Sequence, residues 1–515
     1  MNMPDPKYEK QDAFFDVRHI ETGIKKHAVR GASATISASV VNYGLQTIGT
    51  IVLARLLSPE DFGLVAMVTT FSLMAQNFGT NGFIEAVVQS DGINHQKMSK
   101  LFWTNLLIML ALTAVFAALA PLIAWFFHEP LLKGITLALA ISIFFGGLAT
   151  CHVAVLTRNM KFHLTSAQGL ISGVLSTMLA IIAAMRGMGY WALVLRRVSL
   201  PFLGAILAWA FCRWRPGIPE KKTRIAPIIR FGVQTYGNFV VDYFRKNADK
   251  IIIGKLFGKS PLGHYDRANH LAAVMPNQLS ASLGGVGVAT FSRLKNDPRK
   301  YIDSYGKALS LLAFVAFPGS VWFTLIGRDM ITVLLGPQWS EAGKIFTALG
   351  PAIGIVIIYE TNIWLHLSLG RPDRLLKWGT FVLIAAVSSF LLGSRFGPIG
   401  VAVAYSSLFY VLLFPALIYA GKPMKIGGGY ILAILWKYWF AAFLGGLMYW
   451  LFQNRVSFNS SFYNHLAPLA RILYCFFLYS LIYLGLIFAL FKGFKPILLI
   501  FSTLKGVFGN KAGKI

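Results

Sequence analysis

Apolar runs long enough to cross a bilayer recur along the whole of this 515-residue chain, and they constrain its fold more than any other feature. Spanning the hydrocarbon core takes roughly 20 residues of helix. Reading for such runs, bounded by charge, glycine or proline, gives about 14 helices, with 12 or 13 as the alternative. They start near Ala32, Phe62, Leu101, Leu131, Phe162, Gly189, Ile228, Leu262, Tyr301, Lys344, Leu375, Ile399, Tyr430 and Leu469, and the seventh and eighth are the least apolar. The expectation is an all-α polytopic membrane protein. A net charge of +28 would ordinarily point to nucleic acid, but charged residues are only 13% of the chain and hydrophobic ones 56%. Soluble domains carry about 25% charged residues. The charge is thin and scattered between apolar segments, so no nucleic-acid partner is expected.

The distribution of Lys and Arg sets the topology, because basic residues are retained on the cytoplasmic side. With the N-terminus inside, the alternate loops assigned to the cytoplasm hold 30 of the 48 basic residues and the outer loops 10. This bias predicts both termini in the cytoplasm. The first 31 residues lack the apolar core of a signal peptide, so the first span is expected to stay in the membrane. After Phe491, Ile497, Ile500, Phe501, Leu504, Val507 and Phe508 recur at helical spacing among lysines. That pattern suits a helix lying on the inner leaflet, held by apolar burial and anionic lipid. Cys151, Cys212 and Cys475 lie in apolar stretches without metal-ligand spacing and are expected simply to pack.

A short repeat occurs at an offset of 200 residues. Ile51-Val-Leu-Ala-Arg-Leu-Leu57 matches Ile251-Ile-Ile-Gly-Lys-Leu-Phe257, and Phe62-Gly63 matches Leu262-Gly263 without a gap. Each copy joins an odd-numbered span to the next even one through a short outer turn, as a six-helix duplication requires. Internal repeats are a hallmark of transporters whose halves rock about a central site.

Ala54-Arg-Leu-Leu-Ser-Pro-Glu-Asp-Phe-Gly63 resembles the first outer turn of bacterial polysaccharide exporters. Gly254-Lys-Leu-Phe-Gly258 with Leu262-Gly-His-Tyr-Asp-Arg-Ala268, Gly189-Tyr-Trp-Ala-Leu-Val194 and Gly336-Pro-Gln-Trp339 are similar to other segments of that group. The resemblance covers roughly residues 30–420 and is closest to the colanic-acid and teichuronic-acid exporter branch. These are Wzx-type lipid-linked oligosaccharide flippases of the multidrug/oligosaccharidyl-lipid/polysaccharide superfamily. The resemblance implies two six-helix lobes around a central cavity plus two C-terminal helices. It also implies that an undecaprenyl-diphosphate-linked repeat unit is turned from the inner to the outer leaflet, with polymerase or export proteins as further partners. On this reading residues 1–31 are a cytoplasmic segment, 32–212 the N-lobe, 213–227 a basic linker and 228–420 the C-lobe. Residues 421–490 form spans 13 and 14, and 491–515 the basic tail.

A dianionic headgroup calls for cations inside the membrane, and such cations cost about 2.5–3.5 kcal/mol each on insertion scales, so they face a cavity or a partner. Six are candidates for a cationic, substrate-binding cavity: Arg196, Arg197, Arg245, Lys246, Lys250 and Arg267. On span 7, Asn238, Asp242, Arg245 and Asp249 share one face, with Lys246 and Lys250 beside it. Two readings of that face stand: a phosphate- or glycan-binding wall in which Asp242 or Asp249 exchanges a proton, or mutual neutralisation of charges four apart. Arg196 and Arg197 are about 100° apart on their helix and cannot point the same way; either one lines the cavity or both are a structural pair near Pro201. Arg267 either completes the positive wall or pairs with Asp266. Glu85 and Glu360, lone carboxylates of even spans, are the remaining candidates for proton or sodium coupling, since burial raises a carboxyl pKa. His366 is expected at an interface. No P-loop, Asp-x-Asp or HExxH motif is present. With no outer or inner loop longer than about 20 residues, an enzyme is not expected, nor a metal or organic cofactor. A drug or cation antiporter of the same superfamily, with an acidic cavity, and a non-transporting assembly component are the alternatives.

Overall fold

The computed structural model of the chain describes residue 15 and residues 41–78, 83–90, 93–219, 225–455, 463 and 466–493. Its regular structure is helical throughout those residues. Helix α1 runs through 41–56. α2 comprises Pro59–Phe78 and Phe83–Gln89, and α3 His95–Ala118 continued by Ala120–Phe127, the break coming where Pro121 withholds a backbone N–H. There follow α4 (Leu132–Arg158), α5 (Phe162–Met185), α6 (Tyr190–Cys212), α7 (Ala226–Phe257), α8 (Lys259–Leu294) and α9 (Pro298–Leu335). α10 comprises Ser340–Tyr359 and Thr361–Ser368, and the last four are α11 (Pro372–Gly393), α12 (Gly397–Gly421), α13 (Gly428–Arg455) and α14 (Pro468–Phe491). Each predicted span thus has its helix, in order. Two helices begin a turn ahead of their apolar runs with a polar, side-chain-capped first turn. α3 starts at His95 rather than Leu101, with Asn94 Oδ1 accepting the Lys97 N–H at 2.9 Å. α9 starts at Pro298 rather than Tyr301, with Asp297 accepting from Lys300 at 3.2 Å.

Nine stretches of the described residues are long and apolar enough to cross a membrane, one of them containing both α11 and α12. α7 and α8, the least apolar in sequence, fall below that threshold. The polar tail after Phe491 and the segment before residue 41, apart from Phe15, lie outside the described residues.

By contact, the chain divides into residues 1–263 and 264–515. In the first unit α4 is central, packing on α2, α3 and α6, with α5 against α6. α7 lies on α2, fixed by two phenol hydroxyls: Tyr236 donates to the Met74 carbonyl at 2.8 Å and Tyr243 to that of Thr70 at 2.7 Å. The first part of the predicted linker is strapped down. Trp214 is fully buried and its Nε1 donates to His95 Nδ1 at 3.2 Å, while the Gly217 N–H donates to Ser99 Oγ at 2.9 Å. In the second unit α9 and α10 form the hub, with α12 on α10 and with α13 and α14 on α9. Hydroxyls again join helices: Tyr301 with Ser368 at 2.7 Å, Tyr305 with Thr361 at 2.9 Å and Ser310 with Tyr438 at 2.6 Å. Such bonds matter here because lipid tails are as apolar as leucine, and burial alone gives helices little reason to associate.

The 200-residue repeat has a physical counterpart in the first unit. The first turns of α2 and α8 cross with backbone against backbone. A Cβ on Gly63 would lie 1.8 Å from the Lys259 carbonyl oxygen, and a Cβ on Gly263 would lie 1.8 Å from that of Pro59. Residues 59 and 259, like 63 and 263, are one repeat apart, so the contact is reciprocal. Around it, Lys259 Nζ lies 3.6 Å from Glu60 and 3.4 Å from Glu129, tying the start of α8 to α2 and to the α3–α4 turn. Lys255 donates to the Phe126 carbonyl at 2.5 Å. The carbonyls at a helix C-terminus lack intrahelical donors and carry negative partial charge, which a cation satisfies.

Gly63→Ala or Gly263→Ala should therefore lower stability by about 1–3 kcal/mol or more, the cost of forcing atoms into a filled space. Gly379→Ala, whose Cβ would meet nothing within 4 Å, should not. Melting curves in detergent check this, and a wild-type melting temperature for either of the first two variants contradicts it.

Candidate substrate cavity

Five helices of the first unit, α1, α2, α4, α5 and α6, enclose a cavity of about 430 Å³. Its polar lining comes largely from residues one or two helical turns apart: Asn42 and Gln46 on α1, Ser72 and Gln76 on α2, Ser142 and Thr150 on α4, and Gln168 and Ser172 on α5. Residues four or eight apart lie on nearly the same helix face, which is why each pair reaches the same space. α6 contributes Arg197, with Pro201 below it. Among the described lining residues Arg197 is the single charged side chain, and there is no carboxylate and no aromatic ring.

Gln76 Nε2 donates to the Ser142 carbonyl at 3.1 Å, and Gln168 Nε2 to that of Gly204 at 3.0 Å, so each of these carboxamides also joins two helices. Within the wall, Gln46 Nε2 donates to Asn42 Oδ1 at 3.3 Å. Ser142, Thr150 and Ser172 donate to carbonyls of their own helices at 2.6, 3.1 and 2.7 Å. A carboxamide carries two N–H donors and a carbonyl oxygen, and a hydroxyl keeps lone pairs after donating. The result is a neutral wall of mixed donors and acceptors with one guanidinium set into it.

The residues predicted from sequence fall in several places. Arg196 and Arg197 diverge: Arg196 Nη1 donates to Thr50 Oγ1 on α1 at 3.3 Å, while Arg197 lines the cavity. On α7, Asp242 lies between two cations, with Arg245 Nη2 at 2.7 Å and Lys246 Nζ at 2.9 Å. The Arg245 side chain is 10% exposed and that of Lys246 54%, so the first ion pair is the sequestered one. Asp249 is buried and accepts the Lys250 N–H at 2.8 Å. In the second unit Arg267 pairs with its neighbour Asp266. Glu360 sits at the turn that divides α10. The side chains of Glu85 and Asn238 lie outside the described residues. His366, expected at an interface, is buried, because the second piece of α10 packs on α12 and brings its ring 5.6 Å from that of Tyr419. No group of three potential metal ligands occurs among the described residues.

The carboxamides of the cavity escaped sequence reasoning that followed charge. Their signal was nonetheless present, as polar residues at i, i+4 on three helices and at i, i+8 on a fourth.

Residues 52–344, more than half of the chain, match the polysaccharide biosynthesis protein family. The chain belongs to that family. It is 24% identical over 374 residues to the succinoglycan biosynthesis transport protein ExoT of Rhizobium meliloti, covering 72% of this chain and 75% of the relative. It is 21% identical to the lipopolysaccharide biosynthesis protein WzxC of Escherichia coli, covering 74% and 78%. Among solved structures, the lipid II flippase MurJ in its inward closed conformation superposes with a TM-score of 0.71 at 16% identity, over 89% of this chain and 98% of MurJ. The fold of this multi-pass membrane protein is the one MurJ has.

The Asp242–Arg245 pair offers a direct test of how the charges on α7 are held. Asp242→Asn and Arg245→Gln should each destabilise the protein, and the double variant should cost less than the two singles together, with a coupling of about 1–3 kcal/mol. Additive losses in thermal unfolding would show that the two side chains do not act on each other.

Proposed function

We propose that this chain is a flippase that carries an undecaprenyl-diphosphate-linked oligosaccharide repeat unit across the bacterial inner membrane by alternating access, for the synthesis of a surface polysaccharide. The observation that carries the proposal is the cavity with a single guanidinium and a neutral polar wall, enclosed by helices of a member of the polysaccharide biosynthesis protein family. A polar space among membrane helices needs a polar cargo to account for it. A cation or drug exporter would require a carboxylate to face its substrate, and the described lining has none. Succinoglycan transport by ExoT and lipid II flipping by MurJ accord with this reading.

In this scheme both termini are cytoplasmic, as the distribution of Lys and Arg predicts. The cations of α6 and α7 receive the diphosphate while the lipid tail stays in the bilayer. Release on the far side requires that the outward state bind the headgroup more weakly than the inward one, since only a difference in affinity between states moves an equilibrium. Proton or sodium antiport through Asp242, Asp249, Glu85 or Glu360 supplies that difference, and polymerase or export proteins take up the flipped unit.

Deleting the gene in a cell that makes the polymer should cause undecaprenyl-linked repeat units to accumulate on the inner leaflet. Reintroducing the wild-type gene should clear them, whereas Arg197→Ala and Arg245→Ala should cut export at least tenfold with the protein still in the membrane. Absence of accumulation in the deletion strain would sink the flippase reading. Full export by both variants would sink the role given to the cations.

A further inference from the structure

His128 stands where a helix commonly ends on glycine. It caps α3 in the left-handed region, with φ 57° and ψ 35°, and its backbone N–H returns to the carbonyls of Ala124 and Trp125. Glycine enters that region freely, whereas a side chain there costs energy, and residues so held cluster at sites where the side chain is used. Here the imidazole has a partner: Lys255 Nζ, near the end of α7, lies 3.3 Å from Nδ1. An ammonium can only donate, so Nδ1 is the accepting nitrogen and the neutral ring carries its proton on Nε2. His128 is exposed, so protons reach it from solvent.

The same ammonium donates to the Phe126 carbonyl and lies 4.9 Å from the centre of the Phe126 ring. On the other side of Gly258, Lys259 reaches Glu129 at 3.4 Å and Glu60 at 3.6 Å. Two lysines thus fasten the α7–α8 turn to the α3–α4 turn. All of these residues belong to the first unit, and α8 then carries the chain into the second. The charged groups of the surrounding elements are Lys255 on α7, Lys259 on α8, Glu60 on α2, Glu129 beside the ring and Lys133 in the first turn of α4. Among the side chains that make the ties, imidazole is the type that changes charge between about pH 8 and 5.

We infer that His128 is a proton-binding site that controls this fastening: the neutral ring holds Lys255, and protonation of Nδ1 loosens the α7–α8 turn. The added proton occupies the lone pair that accepts from Lys255, so that hydrogen bond is lost, and an imidazolium then faces an ammonium across the same gap. Lys255 keeps the Phe126 carbonyl and Lys259 its carboxylates, so the turn slackens without leaving its place. For its biological use this rests on the flippase reading, in which both turns lie on the outer, more acidic side of the membrane. There it gives protons an entry from outside that is separate from the carboxylates within the spans.

Hydrogen exchange over residues 255–262, read by mass spectrometry on the full-length protein in nanodiscs, reports the grip of the turn. Each protein is compared with His128→Gly at the same pH, so that intrinsic exchange rates cancel. Glycine relieves the left-handed strain, and this variant should melt close to wild type. From about pH 7.5 to about pH 5.5 the wild-type exchange rate, relative to His128→Gly, should rise about threefold. His128→Gln, which keeps the strain but gains no charge, should show no rise. His128→Arg, cationic throughout, should show the raised ratio already at about pH 7.5. Glu60→Gln and Glu129→Gln should keep the response to pH. A wild-type ratio that stays fixed, a rise that persists in His128→Gln, an unraised ratio in His128→Arg, or a response lost with either glutamate would each overturn the site. If deleting the gene makes repeat units accumulate while the wild-type ratio stays fixed, the proton site falls and the flippase reading stands. If the ratio moves as expected but deletion causes no accumulation, the site stands and the flippase reading falls.

Discussion

A polar hydrogen buried among membrane helices must be given to an acceptor, since leaving it unpaired in hydrocarbon costs several kcal/mol. This chain gives many of them to its own backbone carbonyls. Carboxamides and hydroxyls in the first unit do so, as do Tyr236 and Tyr243 where α7 meets α2. So does Arg158, whose Nη1 donates to the carbonyls of Val87 and Ser90 at 2.8 Å and closes the end of α2. The carboxamide, tyrosine and arginine bonds join two helices, whereas the serine and threonine hydroxyls at the cavity are satisfied within their own.

The charged residues obey the same constraint by different means. Asp242 is shared by Arg245 and Lys246, and Lys259 by Glu60 and Glu129. On α7, Asp242 holds two of the cations, Lys255 donates to a carbonyl of α3, and the tyrosines fix the helix to α2. A helix of this composition would be poorly held by lipid alone. It stays where it is through named bonds, and those bonds are few enough to be exchanged for others when a transporter changes state.

Much of the architecture could be read from the chain, because crossing a bilayer imposes a length and an apolar composition that few other structures share. The helices occur in the predicted order, and the capped polar turns at Asn94 and Asp297 account for the starts that were set too late. The repeat at an offset of 200 was legible too, although its meaning was not: nothing in seven apolar residues tells that Gly63 and Gly263 touch. The site was only partly legible. Arg197 was picked out because a cation in a span stands out in any count, whereas Gln76 and Gln168 are neutral and vanish from it. The partner of Lys255 was not legible either, because the end of α3 whose carbonyl it meets is visible only once the helices are packed.

The reciprocal contact of Gly63 with Lys259 and of Gly263 with Pro59 has a consequence for how the chain tolerates change. A side chain at either glycine presses on the same backbone crossing, so the two positions, 200 residues apart in sequence, are constrained as one, and a damaging change at one cannot be relieved by enlarging the other.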